Sequence, residues 1–353
     1  MNPAKYIYNF TLNGWSFVHK KEKCLGYPVI IEIEPTNSCM MKCLMCPRQY
    51  MKRKVGFMDI DLFKKIIYQA KGYTHIIGLQ IFGDALLHPK FEEMVDYLNK
   101  KGILSQISTN PIALSDKNIE KILNSELDIL MLSLDAIDDK TYKKYRGTNT
   151  SYETAISQMN KLLEEKIKRN KKKPFIYVRM LGLPGLKDHF QEYKKQWNKP
   201  GVDQVSKTDF RTFGGVIDEI GGVKIKKTRW ASKGVCYKPW EGMYILWDGR
   251  VVPCGFDYDG KVILGDLRKQ TLEEVWNGKK MRELRKSFLT EKFGKNHFCK
   301  KCKERIIVEN KYGKATKLFP FDMFFINYII DYLYQRNQNK KIVKSLRKTF
   351  IRH

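Results

Sequence analysis

The sequence predicts a parallel α/β fold, a partly open barrel of six βα units followed by a small β-hairpin and helix region. Three observations predict it. Short apolar runs alternate with helix-length amphipathic stretches over residues 28–213, as in βαβ units whose strands are buried on both faces. Residues with chemistry to offer stand at the ends of those runs, on the face where loops after parallel strands assemble sites. Beyond Gly214-Gly215 and Gly221-Gly222 the chain changes character, and Asp248-Gly249 separates two apolar runs, a strong hairpin signal.

The elements follow in order. Residues 1–27 carry Tyr6, Tyr8, Phe10, Trp15 and Phe17 and are read as a brace or lid, with Cys24 a plain thiol. The first strand is 28–34. Asp59 is a plausible N-cap for a helix running to Gly72. The second strand, 74–81, leads to Phe82-Gly83-Asp84-Ala85, and Pro89 is placed in the first turn of the next helix, which ends at Gly102. Strands at 103–108 and 127–134 end at Ser108-Thr-Asn110 and Ser133-Leu-Asp135, with Ser115 capping the helix between. Helical stretches at 141–145 and 152–168 flank Arg146-Gly147. The last two strands are 175–181, which carries Arg179, and 202–210. The basic run 166–173, six positive residues in eight, precedes the fifth strand and so lies on the face opposite the site, as a solvated helix end. Thr271 and Glu274 form a capping box for a helix expected to run through Leu284.

The length of 353 residues accommodates one domain of roughly 200 residues and something smaller. Lys and Arg number 66 against 38 Asp and Glu, a net charge of +28 that favours phosphorylated small molecules, anionic lipid, nucleic acid or acidic peptides, or reflects solvated lysines alone. No apolar run reaches the ~18 residues of a membrane span. Eight cysteines without a secretion signal point to a reducing cytoplasm and against a disulfide framework.

Cys39, Cys43 and Cys46, spaced C-x3-C-x2-C directly after the first strand, turn three thiolates toward one centre. Structural zinc wants four ligands, and His19, His75 and His88 lie at no recognisable spacing. The segment Glu34-Pro-Thr-Asn-Ser-Cys39-Met-Met-Lys-Cys43-Leu-Met-Cys46-Pro resembles the cluster-binding loop of the radical S-adenosylmethionine (SAM) superfamily. The resemblance implies a [4Fe-4S] cluster whose open iron chelates SAM, and a 5'-deoxyadenosyl radical that abstracts hydrogen from a substrate. It extends to Gly83-Asp84, where the family has Gly-Glu-Pro, and to Ser108, Asn110, Ser133, Asp135 and Arg146. These seven residues are the expected SAM contacts, with Arg146 facing the carboxylate.

A second set, Cys236, Cys254, Cys299 and Cys302, suits either a structural zinc or a cluster. Its spacing resembles the twitch form of the family's SPASM extension, which implies one auxiliary [4Fe-4S] cluster. The expected organisation is therefore a brace or lid at 1–27, a barrel at 28–213, an auxiliary domain at 230–305 and an aromatic and basic tail at 306–353. The tail has an aromatic-rich segment at 318–334, then seven Lys or Arg and no acid. It is read either as a helix packed on the barrel or as a contact with an anionic membrane.

Within the superfamily the chain resembles aminocyclitol dehydrogenases. That implies oxidation of a hydroxyl on a small anionic, sugar-like, cyclitol or lipid-headgroup substrate, Arg179 assisting, with an electron donor such as flavodoxin or ferredoxin. The alternatives are a peptide-modifying enzyme of the same superfamily, or a basic nucleic-acid or membrane-binding protein with structural metal. Nucleic acid is not the expected partner, and the expected location is cytoplasmic with membrane association open.

Overall fold

The computed structural model describes residues 3–147, 150–225, 234–294 and 297–305. Helix α1 (Pro3–Val18) precedes the first strand, β1 (Ile30–Ile33). Then follow α2 (Ile60–Ala70), β2 (Ile76–Leu79), α3 (Phe91–Lys100), β3 (Leu104–Thr109), α4 (Asp116–Asn124) and β4 (Ile129–Ser133). Two helices, α5 (Asp139–Arg146) and α6 (Tyr152–Lys168), lead to β5 (Phe175–Gly182), and α7 (Phe190–Trp197) leads to β6 (Gln204–Asp209). The strands β1 to β6 lie side by side in sequence order, every neighbouring pair parallel. The expected tail at 306–353, with its segment 318–334, lies outside the described residues, as does the expected domain start at residue 230.

Alternation along the strands sorts the two faces. Ile31, Ile33, Ile77, Ile107, Leu132, Val178 and Met180 are buried on the face the helices cover. Glu32, Gln106, Ser108, Ser133 and Arg179 alternate with them and face the inside of the barrel, which is therefore polar. The helices begin where the side chains dictate: Asp59 accepts from the backbone N–H groups of Asp61 and Leu62, and Ser115 from that of Asn118. Pro89 stands just before the N-cap Lys90, outside the first turn of α3, which starts at Phe91. The basic run is a solvated end in part: Lys168, Lys171 and Lys172 are exposed, while Lys166 pairs with Asp203, Arg169 with Glu120 and Glu165, and Lys173 with Glu126 and Asp128.

After β6 come the short pair β7 (Glu219–Ile220) and β8 (Val223–Lys224), then α8 (Lys238–Glu241), β9 (Gly242–Ile245), β10 (Arg250–Val252) and β11 (Gly265–Asp266). The expected hairpin is β9–β10, turned by Gly249 at φ +84°. It does not stand apart from the barrel. β9 runs parallel to β1, with Ile30 opposite Gly242 and Ile33 opposite Ile245, giving one nine-stranded sheet in the order β11-β10-β9-β1-β2-β3-β4-β5-β6. The helix expected to run from Thr271 through Leu284 breaks into α9 (Leu272–Trp276) and α10 (Lys279–Thr290), followed by α11 (Phe298–Lys301). The break falls at Gly278, where a Cβ would sit 2.2 Å from the Glu274 carbonyl oxygen.

The helix α1 closes the lower rim, where strands begin. Asn9 Nδ2 donates to the carbonyls of Tyr27 and Tyr73, just ahead of β1 and β2, at 3.1 Å each. Trp240 Nε1 donates to the Lys21 carbonyl at 2.7 Å, tying α8 to the chain behind α1. Among the described residues no helix is long and apolar enough to cross a membrane.

Candidate functional site

The loop after β1 is clamped at both ends. Glu34 at its start and Arg53 at its end form a buried two-bond ion pair at 2.7 and 2.9 Å. Asn37 donates to the Lys54 carbonyl and accepts from the Gly56 N–H, both at 3.0 Å. Within the loop, Arg48 Nη2 donates to the carbonyls of Cys39 and Met41 at 3.1 and 3.0 Å. Cys39, Cys43 and Cys46 consequently line one cavity of about 430 Å3 at the upper ends of the strands.

The strand ends converge on that cavity. Gly83, Asp84, Ser108, Asn110, Ser133, Asp135, Arg146 and Arg179 all line it. Gly83 has φ +79°, and a Cβ there would lie 2.2 Å from the Thr36 carbonyl oxygen and 2.7 Å from that of Ser38. Only glycine lets the β2 loop lie against the cysteine loop, where the Asp84 N–H donates to the Ser38 carbonyl at 2.8 Å. The Asp84 carboxylate accepts from the Leu86 N–H and the Thr109 hydroxyl, at 3.1 and 2.6 Å. Burial pushes its carboxyl up to about 6 against those two bonds and a third from the Asn110 backbone.

Asp135 and Arg146 are spent on each other. They form a buried ion pair, Asp135 also accepts from the Leu181 N–H at 2.6 Å, and Arg146 Nη1 lies 3.4 Å from Cys43 Sγ. Burial works against the Arg146 charge, but Asp135 and then Cys43 outweigh it and hold the guanidinium protonated. Arg146 thus faces a cysteine sulfur and a carboxylate of its own chain. Arg179 Nη2 donates to Ser133 Oγ at 3.2 Å and reaches Ser108 Oγ at 3.5 Å, and the two hydroxyls lie 3.2 Å apart. Burial lowers the affinity of Arg179 for its proton. Asn110 Nδ2, Arg146 Nε and Arg179 Nε have no hydrogen-bond partner among the described residues.

The thiols of the second set lie close enough to feel one another's charge. Cys254 feels Cys236 and Cys302, and Cys299 feels Cys254, Cys236 and Cys302, each of the two pushed up first by burial and then by those neighbours. Cys302 rises to about 11 for the same reasons. Glu304 clamps the chain beside them, accepting from the N–H groups of Thr212 and Gly214 at 2.8 and 3.1 Å. Buried thiols in such groups resist ionising together unless a cationic centre binds them. In the first set, likewise, burial raises Cys46 to about 11, with Cys43 and Cys39 adding to it. By donor type both sets, free cysteines alone, suit a thiolate-bound cluster, while among the described residues no three such side chains are gathered tightly enough to hold a single metal ion. The first supplies three thiols, with unpartnered donors nearby for a polar ligand.

The sequence reading missed Arg48, Phe82, Thr109 and the end of β6 with the stretch beyond it, from which Thr208, Asp209, Phe210, Arg211 and Phe213 line the same cavity. The rule used for the other strand ends, extended to the sixth, finds that stretch. Arg48 carries no signal beyond its place in the loop.

The family model described as the Radical SAM superfamily matches residues 33–195, and the one described as an iron-sulfur cluster-binding domain, SPASM, matches residues 236–303. Among curated relatives, the tungsten-containing aldehyde ferredoxin oxidoreductase cofactor-modifying protein of Pyrococcus furiosus is 24% identical over 287 residues, 70% of this chain and 80% of that protein. The S-adenosyl-L-methionine-dependent 2-deoxy-scyllo-inosamine dehydrogenase of Niallia circulans is 22% identical over 282 residues, 77% of this chain and 92% of that protein. Among solved structures, Streptococcus suis SuiB bound to precursor peptide SuiA is similar in fold, with TM-score 0.61 and 15% identity over 82% of this chain and 72% of that one.

Proposed function

The chain belongs to the radical SAM superfamily and carries its SPASM iron-sulfur domain, and from that premise we propose that it oxidises a hydroxyl group on a small polar substrate of sugar-like, cyclitol or lipid-headgroup type. Its cofactors are the radical SAM [4Fe-4S] cluster with SAM and an auxiliary iron-sulfur cluster. When bound, these supply a carbon radical that removes hydrogen from the substrate and an acceptor for the electron left behind.

In this reading Cys39, Cys43 and Cys46 hold the first cluster, and Cys236, Cys254, Cys299 and Cys302 the auxiliary one. Residues 28–213 form the barrel that holds SAM and substrate, and 230–305 the auxiliary domain. Arg146, fixed by Asp135, holds positive charge against Cys43 and keeps that thiolate in place. Gly83 and Asp84 set the β2 loop against the cysteine loop so that its backbone faces SAM, and Asn110 Nδ2 offers a donor to it. Arg179 orients the substrate hydroxyl with Ser108 and Ser133 and stabilises negative charge as the hydroxyl proton leaves. The observation that carries the reading is the polar bore of the barrel. A guanidinium and two hydroxyls, hydrogen-bonded to one another, face the cavity that the cysteine loop closes. A hydroxylated substrate exchanges hydrogen bonds with such a wall, whereas an apolar one leaves it unpaired. The similar dehydrogenase acts on a 2-deoxy-scyllo-inosamine by its name.

The reductant is an electron donor of flavodoxin or ferredoxin type, and the location is cytoplasmic. Anaerobic reconstitution, reduction with SAM and presentation of aminocyclitols, sugar alcohols and glycerophosphates tests the reading. The expected result is 5'-deoxyadenosine with a product about two mass units lighter than its substrate. Cleavage of SAM with oxidation of none of them, and modification of a peptide instead, overturns the substrate class. Absence of any SAM cleavage overturns the reading as a whole.

A further inference from the structure

The lower rim of the sheet, opposite the cavity, carries a surface that the reaction does not use. One face of α1 is turned inward, where Tyr6, Asn9, Phe10, Asn13 and Ser16 are buried against the chain leading into β1 and β2. The other face is apolar as well. Ile7, Tyr8, Trp15 and Val18 are exposed at 62%, 67%, 43% and 45%, and at the helical repeat they fall within an arc of roughly 100°. The helix contains no acidic residue. An outward helix face is ordinarily polar, and clustered exposed apolar side chains mark a contact surface.

The same rim continues the pattern. Leu25, Tyr68 and Tyr73 are exposed, and Tyr73 stacks on Tyr27 with ring centroids 3.9 Å apart. Lysines stand over the rings: Lys21 lies 5.8 Å from the Trp15 ring, Lys71 4.1 Å from Tyr68 and Lys101 5.0 Å from Tyr97. Trp, Tyr and Lys set beside exposed aliphatic side chains is the composition of a protein surface seated at a bilayer interface.

We propose that this rim docks on an anionic phospholipid bilayer. The α1 face enters the headgroup boundary and Lys20, Lys21, Lys23, Lys71 and Lys101 meet lipid phosphates. The chain's net charge of +28 complements such a surface, and with no spanning helix among the described residues the contact is peripheral. The cavity opens at the other ends of the strands, so a docked enzyme presents its site to water and not to the lipid.

Flotation of the full chain with vesicles of phosphatidylcholine alone, or of phosphatidylcholine and phosphatidylglycerol in equal parts, tests the proposal. The chain is expected to float with the anionic vesicles, to leave them as salt is raised, and to ignore the neutral ones. Ile7→Gln combined with Trp15→Gln, and separately Lys20→Glu combined with Lys21→Glu, are each expected to lower partition by about tenfold or more. All four side chains are exposed, and circular dichroism with retained brown colour confirms folding. Brominated lipid is expected to quench the fluorescence that Trp15→Phe removes. Failure to float on anionic vesicles overturns the proposal. So does equal flotation of parent and variants, which moves the contact to 306–353. A stoichiometric protein partner lost on the α1 changes, with lipid binding unchanged, also overturns it.

Discussion

Arg146 shows how much a single side chain in this site is asked to balance. It lies buried between Asp135 and Cys43, so removing it leaves a carboxylate without its cation. Arg146→Ala is expected to cost about 3–5 kcal/mol in denaturant unfolding, the range for breaking one half of a buried pair. Arg146→Lys recovers only part of that, because one ammonium does not reach both neighbours as a guanidinium fork does. Gly83 makes a different demand, on space and backbone. Gly83→Ala places a methyl 2.2 Å from the Thr36 carbonyl in a left-handed conformation, and about 1–3 kcal/mol of strain is expected to appear as iron lost on desalting. Residues with a strand-end position were legible as neighbours: Cys39, Cys43, Cys46, Gly83, Asn110 and Arg179 line one cavity. The ion pair of Asp135 with Arg146 was not, since both were expected to face SAM, and a pairing between two side chains leaves no trace in the spacing of either.

Individual elements were legible to within a few residues, because each strand and helix has its own periodicity and caps. Their partnership was less so. Nothing local to residues 242–245 announces that β9 joins β1 across about two hundred residues, and the hairpin was therefore read as separate. The β1–β9 junction also buries an ionisable set. Glu32 on β1 faces Gly78, where a Cβ would lie 2.2 Å from its carboxylate, and shares its surroundings with Gln80, Lys238, Glu241 and Tyr244. Burial raises Glu32 from 4.5 to about 8, with Lys238 and Gln80 opposing and Glu241 adding. A carboxyl raised in the folded state binds its proton more tightly there than when unfolded. Its contribution is complete below pH 4.5 and is lost as pH rises toward 8. His75, lowered to about 4 by burial, acts in the opposite sense only below its ordinary value of 6.5. Between pH 6.5 and 8 the chain is therefore expected to lose stability with rising pH, by at most about 1.4 kcal/mol per unit from this group. Glu32→Gln should flatten that slope in anaerobic urea titrations, and an unchanged slope removes Glu32 as its source.

At the scale of the molecule, two cysteine sets are built on one sheet by different parts of the chain. The first rests on the loop after β1, held by Glu34, Arg53, Asn37 and Gly83. The second comes from Cys236 ahead of α8, Cys254 just beyond β10, and Cys299 and Cys302 in and after α11, with Glu304 fastening the stretch after β6 beside it. The supports of the two sets share no residue among these, so one should survive loss of the other. Cys302→Ala is expected to lower iron from about eight to about four per chain and to halve the absorbance near 400 nm. Reductive SAM cleavage should remain within about threefold of the parent, while substrate oxidation disappears because the electron has no acceptor. Cys43→Ala should do the reverse, keeping about four irons and losing SAM cleavage entirely. The continuous sheet makes this comparison informative. If β9 carries strain from the second set into β1, then Cys302→Ala will also strip the first cluster, and iron will fall toward zero in both variants. The pair of iron counts thus separates two independent sites on a shared scaffold from a single cooperative one, with 5'-deoxyadenosine formation as the readout of the first site alone.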